Sequence, residues 1–191
     1  MKQKKCRSCK EKFPYYNSTQ IACSPKCALE LVKQKKSKEY DKETRRLKES
    51  IKSKSKWIKE AQSVFNAYIR CRDKGDACIS CGKHEAELKI NNPISMVCGH
   101  YLSVGAHPEL RFHPFDGNLQ CTRCNGGAGK YGNFNNKEKT VTQSYRVNLI
   151  KKIGLEMVEW LEGPHEPQKL SIEDIKEIKQ HYKEQLKLIK E

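Results

Sequence analysis

Eight of the chain's ten cysteines fall into four close pairs, Cys6/Cys9, Cys23/Cys27, Cys78/Cys81 and Cys121/Cys124. The chain opens Met1-Lys2-Gln3-Lys4-Lys5 directly into Cys6, with no signal peptide, so disulfides are not expected. Paired thiols in a reducing compartment point to metal, because each short Cys–Cys spacing supplies two ligands and two such pairs complete a tetrahedron. Two structural four-cysteine zinc sites are therefore expected. One takes Cys6, Cys9, Cys23 and Cys27; the other takes Cys78, Cys81, Cys121 and Cys124. Cys71 and Cys98 are left over, and Cys71 reads as a small buried hydrophobe.

Composition narrows the class further. Of 191 residues 36% are hydrophobic and 32% charged, which disfavours one large core and favours small modules held by something besides burial. The formal charge is +15, and no apolar run approaches the length of a membrane span. A basic chain of this kind usually carries its charge for a polyanion, with nucleic acid the default. The expected class is α+β with a helical majority. Four segments are expected: a four-cysteine zinc module over 1–32, a long basic helix over 33–73, a second zinc-bracketed unit over 74–163, and a linker with an amphipathic helix over 164–191.

In the first module, Phe13 to Ile21 reads as a short hairpin, and Ser24-Pro25 as a helix start that points Cys27 at the metal. Its role is either DNA contact or fold support. From Ala28 to about Asp73 the pattern is helical, without Pro or Gly; residues 33–56 hold eleven Lys and Arg against four Asp and Glu. A seven-residue repeat runs beneath, with Thr44, Ile51, Ile58 and Phe65 at one position and Leu47, Lys54, Ala61 and Tyr68 at the other. It serves either packing within the chain or a homodimer seam. Candidate phosphate contacts are Lys35, Lys36, Arg45, Arg46, Arg111, Arg123, Lys130 and Arg146.

Cys78-Ile-Ser-Cys81 and Cys121-Thr-Arg-Cys124 bracket a segment that carries His84, Cys98, His100, His107, His113, Asp116 and Asn118. Met96 to Tyr101 reads as a strand, Leu110 to Phe115 as its partner, and the chain after Cys121 as a helix or turn. That is β-β-α around one metal, the core arrangement of His-Asn-His nucleases. Hydrolysis of a phosphodiester needs a group that accepts a proton near neutral pH, for which His is suited. It also needs charge stabilisation, which Mg²⁺ or Mn²⁺ on oxygen ligands supplies. His100 is the candidate base, Asn125 a candidate ligand of the catalytic metal, and Asn118 a candidate for orienting the His100 ring. Gly126–Gly132 fails as a phosphate loop, since no Ser or Thr follows Lys130. Downstream, helices are expected over Glu138–Ile153 and Leu155–Leu161, with Tyr145, Leu149, Ile153, Met157 and Trp160 as core. A last helix opens on a Ser171/Asp174 capping box and carries a stripe of Ile172, Ile175, Ile178, Tyr182, Leu186 and Ile189.

The stretches "GHYLSVGAHPELRF", "NLQCTRCN" and "YRVNLIKKIGLEMVEWLEGPHEP" resemble the NinG (Rap) recombination nucleases of lambdoid phages. The resemblance covers most of the chain and is most specific over Cys98–Pro167. It implies a structure-specific endonuclease of phage recombination, acting on branched double-stranded DNA such as D-loops and Holliday junctions, in the cytoplasm of the bacterial host. The frame is also similar to zinc-framed HNH, or His-Me, nucleases, in which His100 matches the base and Asn125 a metal ligand. Those nucleases usually place an Asp or other ligand just before the base, where this chain has Gly99. Either His100 is itself the ligand, or His107, His113 or Asp116 replaces it. Two rivals of other classes are a non-catalytic zinc DNA-binding protein and a scaffold that recruits host recombination proteins.

Overall fold

The computed structural model describes residues 3–88, 95–126 and 140–190, and divides into two units, Met1–Lys52 and Ser53–Glu191. It is mixed α+β and mostly helical, with two small two-stranded sheets. Among the described residues no helix is long and apolar enough to cross a membrane.

In the first unit β1 (Gln3–Lys5) pairs antiparallel with β2 (Lys12–Pro14), Lys4 opposite Phe13. The reversal between them is the Cys6–Cys9 turn, closed by the Cys6 amide on the Glu11 carbonyl at 2.8 Å. The hairpin expected over Phe13–Ile21 is therefore displaced: the cysteine turn is its bend, and Phe13 is buried beside Cys6 and Ala22. Helix α1 (Pro25–Ser50) starts as its sequence indicates, with Pro25 in the first turn and Ser24 Oγ accepting from the Cys27 amide at 3.3 Å. No residue of α1 is buried.

The single helix expected from Ala28 to Asp73 is two helices. Ile51 caps α1, and Ser53, in extended backbone, opens α2 (Lys54–Arg72) by accepting from the Lys56 amide. The cause is side-chain competition for backbone groups: Ser50 Oγ donates to the Leu47 carbonyl while Ser53 caps, so no Pro or Gly is needed to end the helix. The seven-residue seam breaks there. Ile51 is 81% exposed, whereas Ala61 and Phe65 are fully buried.

In the second unit α2 packs on α7 (Ile172–Leu188), which begins with the expected Ser171/Asp174 capping box. Phe65 meets Tyr182 edge-on at 4.9 Å, and Trp57, Ala61 and Ile175 form a second buried cluster. The C-terminal stripe is thus covered by α2, although Ile189 stays exposed. Short helix α3 (Glu85–Leu88) precedes β3 (Met96–His100), which pairs antiparallel with β4 (Gly117–Cys121), Gly99 opposite Asn118 and His100 opposite Gly117. The expected partner, Leu110 to Phe115, is not a strand. Pro108 opens a 3₁₀ turn, Pro108–Leu110, that sends Leu110 into a core with Leu149, Val158 and Leu161. A Cβ at Gly117 would stand 3.0 Å from the Phe65 ring, a contact tight enough that the ring would have to give by a few tenths of an ångström.

After β4 comes α4 (Thr122–Asn125), then α5 (Val141–Ile153) and α6 (Leu155–Glu162), which meet at Gly154, held at φ 86°. That kink changes which face of α6 turns inward. Val158 and Leu161 are buried and Trp160 is half exposed, so Trp160 is not the core residue expected. The expected start of α5 at Glu138, and Lys130, lie outside the described residues.

Arg72 and Asp73 join these layers. The Arg72 guanidinium donates to the carbonyls of Pro114 (2.6 Å) and Gly117 (3.0 Å) and pairs with Asp73 (2.7 Å). Asp73 in turn accepts from the Leu119 amide and from Lys152 at 2.9 Å. Burial alone would raise the Asp73 pKa, but Arg72 and Lys152 outweigh it and hold the carboxyl below its ordinary value. Asp73→Ala is expected to cost about 3–5 kcal/mol by leaving Arg72 uncompensated; a urea midpoint within error of wild type would contradict this.

Candidate metal centres and the cleft beside them

Both expected four-cysteine sets are assembled. In each, the four sulfurs lie within 4.8 Å of one another, and all ten cysteines are free of disulfides. Four sulfurs around a tetrahedral ion at about 2.3 Å stand about 3.8 Å apart. The separations Cys9–Cys23 (3.6 Å), Cys23–Cys27 (3.6 Å) and Cys81–Cys121 (4.0 Å) bracket that spacing, so the thiols fit zinc. In the second set the thiols share their hydrogen bonds: those from Cys121, Cys124 and Cys81 lower the Cys78 pKa, while Cys121 raises those of Cys81 and Cys124. Cys98, away from both sets, is a buried core thiol whose pKa burial pushes up to about 12. Cys71 is only half-buried.

The second set joins three elements: Cys78 and Cys81 from the loop after α2, Cys121 from the last position of β4, and Cys124 from within α4. Asn125 follows directly. It borders a cleft of about 80 Å³ together with His100, Gln120, Thr142 and Tyr145. His100 and Asn125 are thus brought to one cavity. The His100 ring stacks on Phe65 at 5.9 Å, and its Nε2 meets the Arg111 carbonyl at 3.1 Å. A carbonyl only accepts, so in the neutral ring Nε2 carries the proton and Nδ1 is the basic nitrogen. Burial pushes the His100 pKa below its ordinary 6.5, reinforced by the Arg111 charge and partly offset by the Arg111 carbonyl.

Asn118 does not orient this ring. It is buried opposite Gly99, donating to the Phe115 carbonyl (3.0 Å) and accepting from Arg72 (3.5 Å), so it locks the loop before β4 instead. The Arg111 carbonyl holds the ring in its place. Asp116 is fully buried, its Oδ1 accepting from the Leu102 amide at 2.8 Å, its Oδ2 without a hydrogen-bond partner, and its pKa pushed by burial up to about 7. It does not line the His100–Asn125 cleft. His107 is engaged by Glu109 at 3.2 Å, and His113 packs against Trp160. Among the described residues, groups of three or more clustered Cys, His, Asp or Glu ligands are confined to the two four-cysteine sets. Among the described residues, His107, His113 and Asp116 are not part of the lining of the His100–Asn125 cleft.

Of the expected phosphate contacts, Lys35, Lys36, Arg45 and Arg46 lie on the solvent-facing helix α1, and Arg123 is exposed on α4. Arg111 reaches Gln62 at 3.4 Å. The Arg146 guanidinium makes a solvent-exposed, two-pronged pair with Glu162, at 2.7 and 2.9 Å. Sequence reasoning passed over Arg72, Asp73 and Gln120. The available signal was a buried strand, "GNLQC", that carries a polar side chain at every second position.

A family model described as "Bacteriophage Lambda NinG protein" matches residues 1–191. The chain belongs to the NinG family. "Protein ninG" of Escherichia phage lambda is 34% identical over 205 residues, covering 97% of this chain and 92% of its own. "Protein ninG" of Salmonella phage P22 is 32% identical, covering 97% and 93%. No solved structure matches. The NinG match therefore spans both four-cysteine sets and the cleft. Cys9→Ser is expected to cut zinc from two ions per chain to one and leave the second unit folded, whereas Cys121→Ser should also unravel β4. Elemental analysis with near-ultraviolet circular dichroism checks both; equal zinc content in wild type and Cys9→Ser would refute the first site.

Proposed function

We propose that this NinG-family chain is a metal-dependent, structure-specific DNA endonuclease with an HNH, or His-Me-like, ββα core made of β3, β4 and α4. The observation that carries the reading is His100. It is a half-buried imidazole with a lowered pKa and Nε2 committed to a backbone carbonyl, and it borders the same cleft as Asn125, which directly follows the last cysteine of a four-cysteine set. A base for phosphodiester hydrolysis needs such a ring: fixed in orientation, uncharged near pH 7, with one nitrogen available to take a proton from water. Asn125 offers a neutral oxygen of the kind Mg²⁺ and Mn²⁺ accept. Such an ion in the cleft would stabilise charge on the phosphate and the departing oxygen. Zn²⁺ in the four-cysteine sets would be structural, keeping the strand ends and α4 in place. The charge of +15 and the exposed basic α1 suit a phosphate-tracking partner. The preference for D-loops and Holliday junctions follows from the family resemblance.

The test compares wild type with His100→Ala on a four-way junction, a D-loop and a linear duplex, with Mg²⁺, Mn²⁺ or EDTA. Metal-dependent cutting of the branched DNAs should fall by at least about a hundredfold in His100→Ala, with zinc content and DNA affinity kept. Tight binding by wild type without cutting would select the non-catalytic DNA-binding reading.

The pH dependence follows from the lowered His100 pKa. A depressed value leaves the ring neutral at pH 7 and as pH falls past 6.5, and protonation sets in only further down. The acid limb of the cleavage profile should therefore lie below that of a free imidazole. An acid limb centred above 6.5 would remove His100 as the base.

A further inference from the structure

We propose that the side-chain oxygen of Gln120 is a ligand for the divalent cation of the His100–Asn125 cleft, taking the place of the side chain that Gly99 lacks. The inference rests on the endonuclease reading and names a residue within it. Gln120 is only 4% exposed, in a strand whose five residues are all buried. Burying a primary amide is costly unless both its ends are used. One end is used: Nε2 donates to Ser80 Oγ at 2.7 Å, and Ser80 belongs to the Cys78–Cys81 knuckle. That bond fixes the direction of Oε1. Oε1 is turned toward Gly99.

The position of Oε1 is informative. A Cβ built on Gly99 would stand 2.0 Å from it, so the amide fills the volume that a side chain at 99 would take. Gly99 has no positive φ, so its backbone does not require glycine; Gln120 does. Gly99 and Gln120 lie on one face of the hairpin, since Gly99 is opposite Asn118 and side chains two apart share a face. Gln120 also lines the cleft with Asn125. Two residues with neutral amide side chains, both tied to the same four-cysteine set, thus line one small cavity. Amide oxygens are ligands for hard cations such as Mg²⁺ and Mn²⁺ and leave the ion's double charge uncompensated for a phosphate.

The test is Mn²⁺ binding to the zinc-loaded full chain, followed by calorimetry and by Mn²⁺ electron paramagnetic resonance, with cleavage assayed separately. Gln120→Met keeps volume but removes the hard oxygen, and should weaken Mn²⁺ by at least about tenfold with zinc unchanged. Gln120→Glu, which adds a charged oxygen at the same reach, should tighten Mn²⁺, a gain that a packing role would not produce. The pair Gly99→Asp with Gln120→Ala moves the oxygen back to position 99 and should restore binding lost in Gln120→Ala. Unchanged Mn²⁺ affinity in Gln120→Met, at a site that Asn125→Ala abolishes, would overturn the role of Gln120 while leaving the endonuclease reading intact. Absence of Mn²⁺ binding in wild type would overturn it too. Failure of the endonuclease reading would show instead as the absence of cleavage by wild type.

Discussion

A zinc ion on the four sulfurs of Cys78, Cys81, Cys121 and Cys124 would hold together parts of the second unit that otherwise have little reason to stay in register. Two come from a loop after α2, one from the end of β4 and one from α4. A two-stranded sheet is marginal by itself, and β3–β4 is five residues long. Fixing Cys121 fixes the register of β4 against β3, and hence which residues face the cleft. Fixing Cys124 fixes α4, a helix too short to hold its own shape, and therefore Asn125. The polar strand GNLQC can be buried because the rest of the frame satisfies it: Ser80 meets Gln120, Arg72 and the Phe115 carbonyl meet Asn118, and Asp73 meets the Leu119 amide.

Around that frame, burial and buried charge divide the work. The α2–α7 pair supplies an aromatic wall of Phe65, Tyr68 and Tyr182 behind His100, which keeps water from one side of the imidazole and lowers its pKa. Arg72 and Asp73 tie the end of α2 to the loop before β4 with charge-assisted bonds. Tyr145, from α5, donates to the carbonyls of both Gly99 (3.1 Å) and Asp116 (3.2 Å), so the hairpin is pinned from a third direction. An imidazole held by the Arg111 carbonyl and the Phe65 ring at the end of that hairpin has little freedom to reorient, which is the property that proton transfer would demand.

Much of this was legible in the residues. The cysteine pairs gave both thiol sets, Ser24-Pro25 the start of α1, Ser171 with Asp174 that of α7, and Gly154 the α5–α6 junction. His100 stood out by residue type inside the cysteine-bracketed segment and Asn125 by following its last cysteine, and both border one cleft. The strand partner and the single long helix were misread, because Pro108, Ser50 and Ser53 act through local turns and caps that hydrophobic periodicity does not record.

Sequence by itself determined the thiol sets, the charge and the apolar stripes, since these depend on residue type and near-neighbour spacing. Tertiary structure decided which polar groups meet. Asn118 was spaced correctly to reach His100, yet register sets it opposite Gly99 and gives the ring to the Arg111 carbonyl. Arg146 pairs with Glu162, sixteen residues on, a partner that residue type alone does not name. Gly99 reads as a missing ligand in one dimension and as the space for Gln120 in three. The reason is common to all three: a polar side chain is satisfied by whatever the fold brings within about 3 Å, and sequence distance does not measure that.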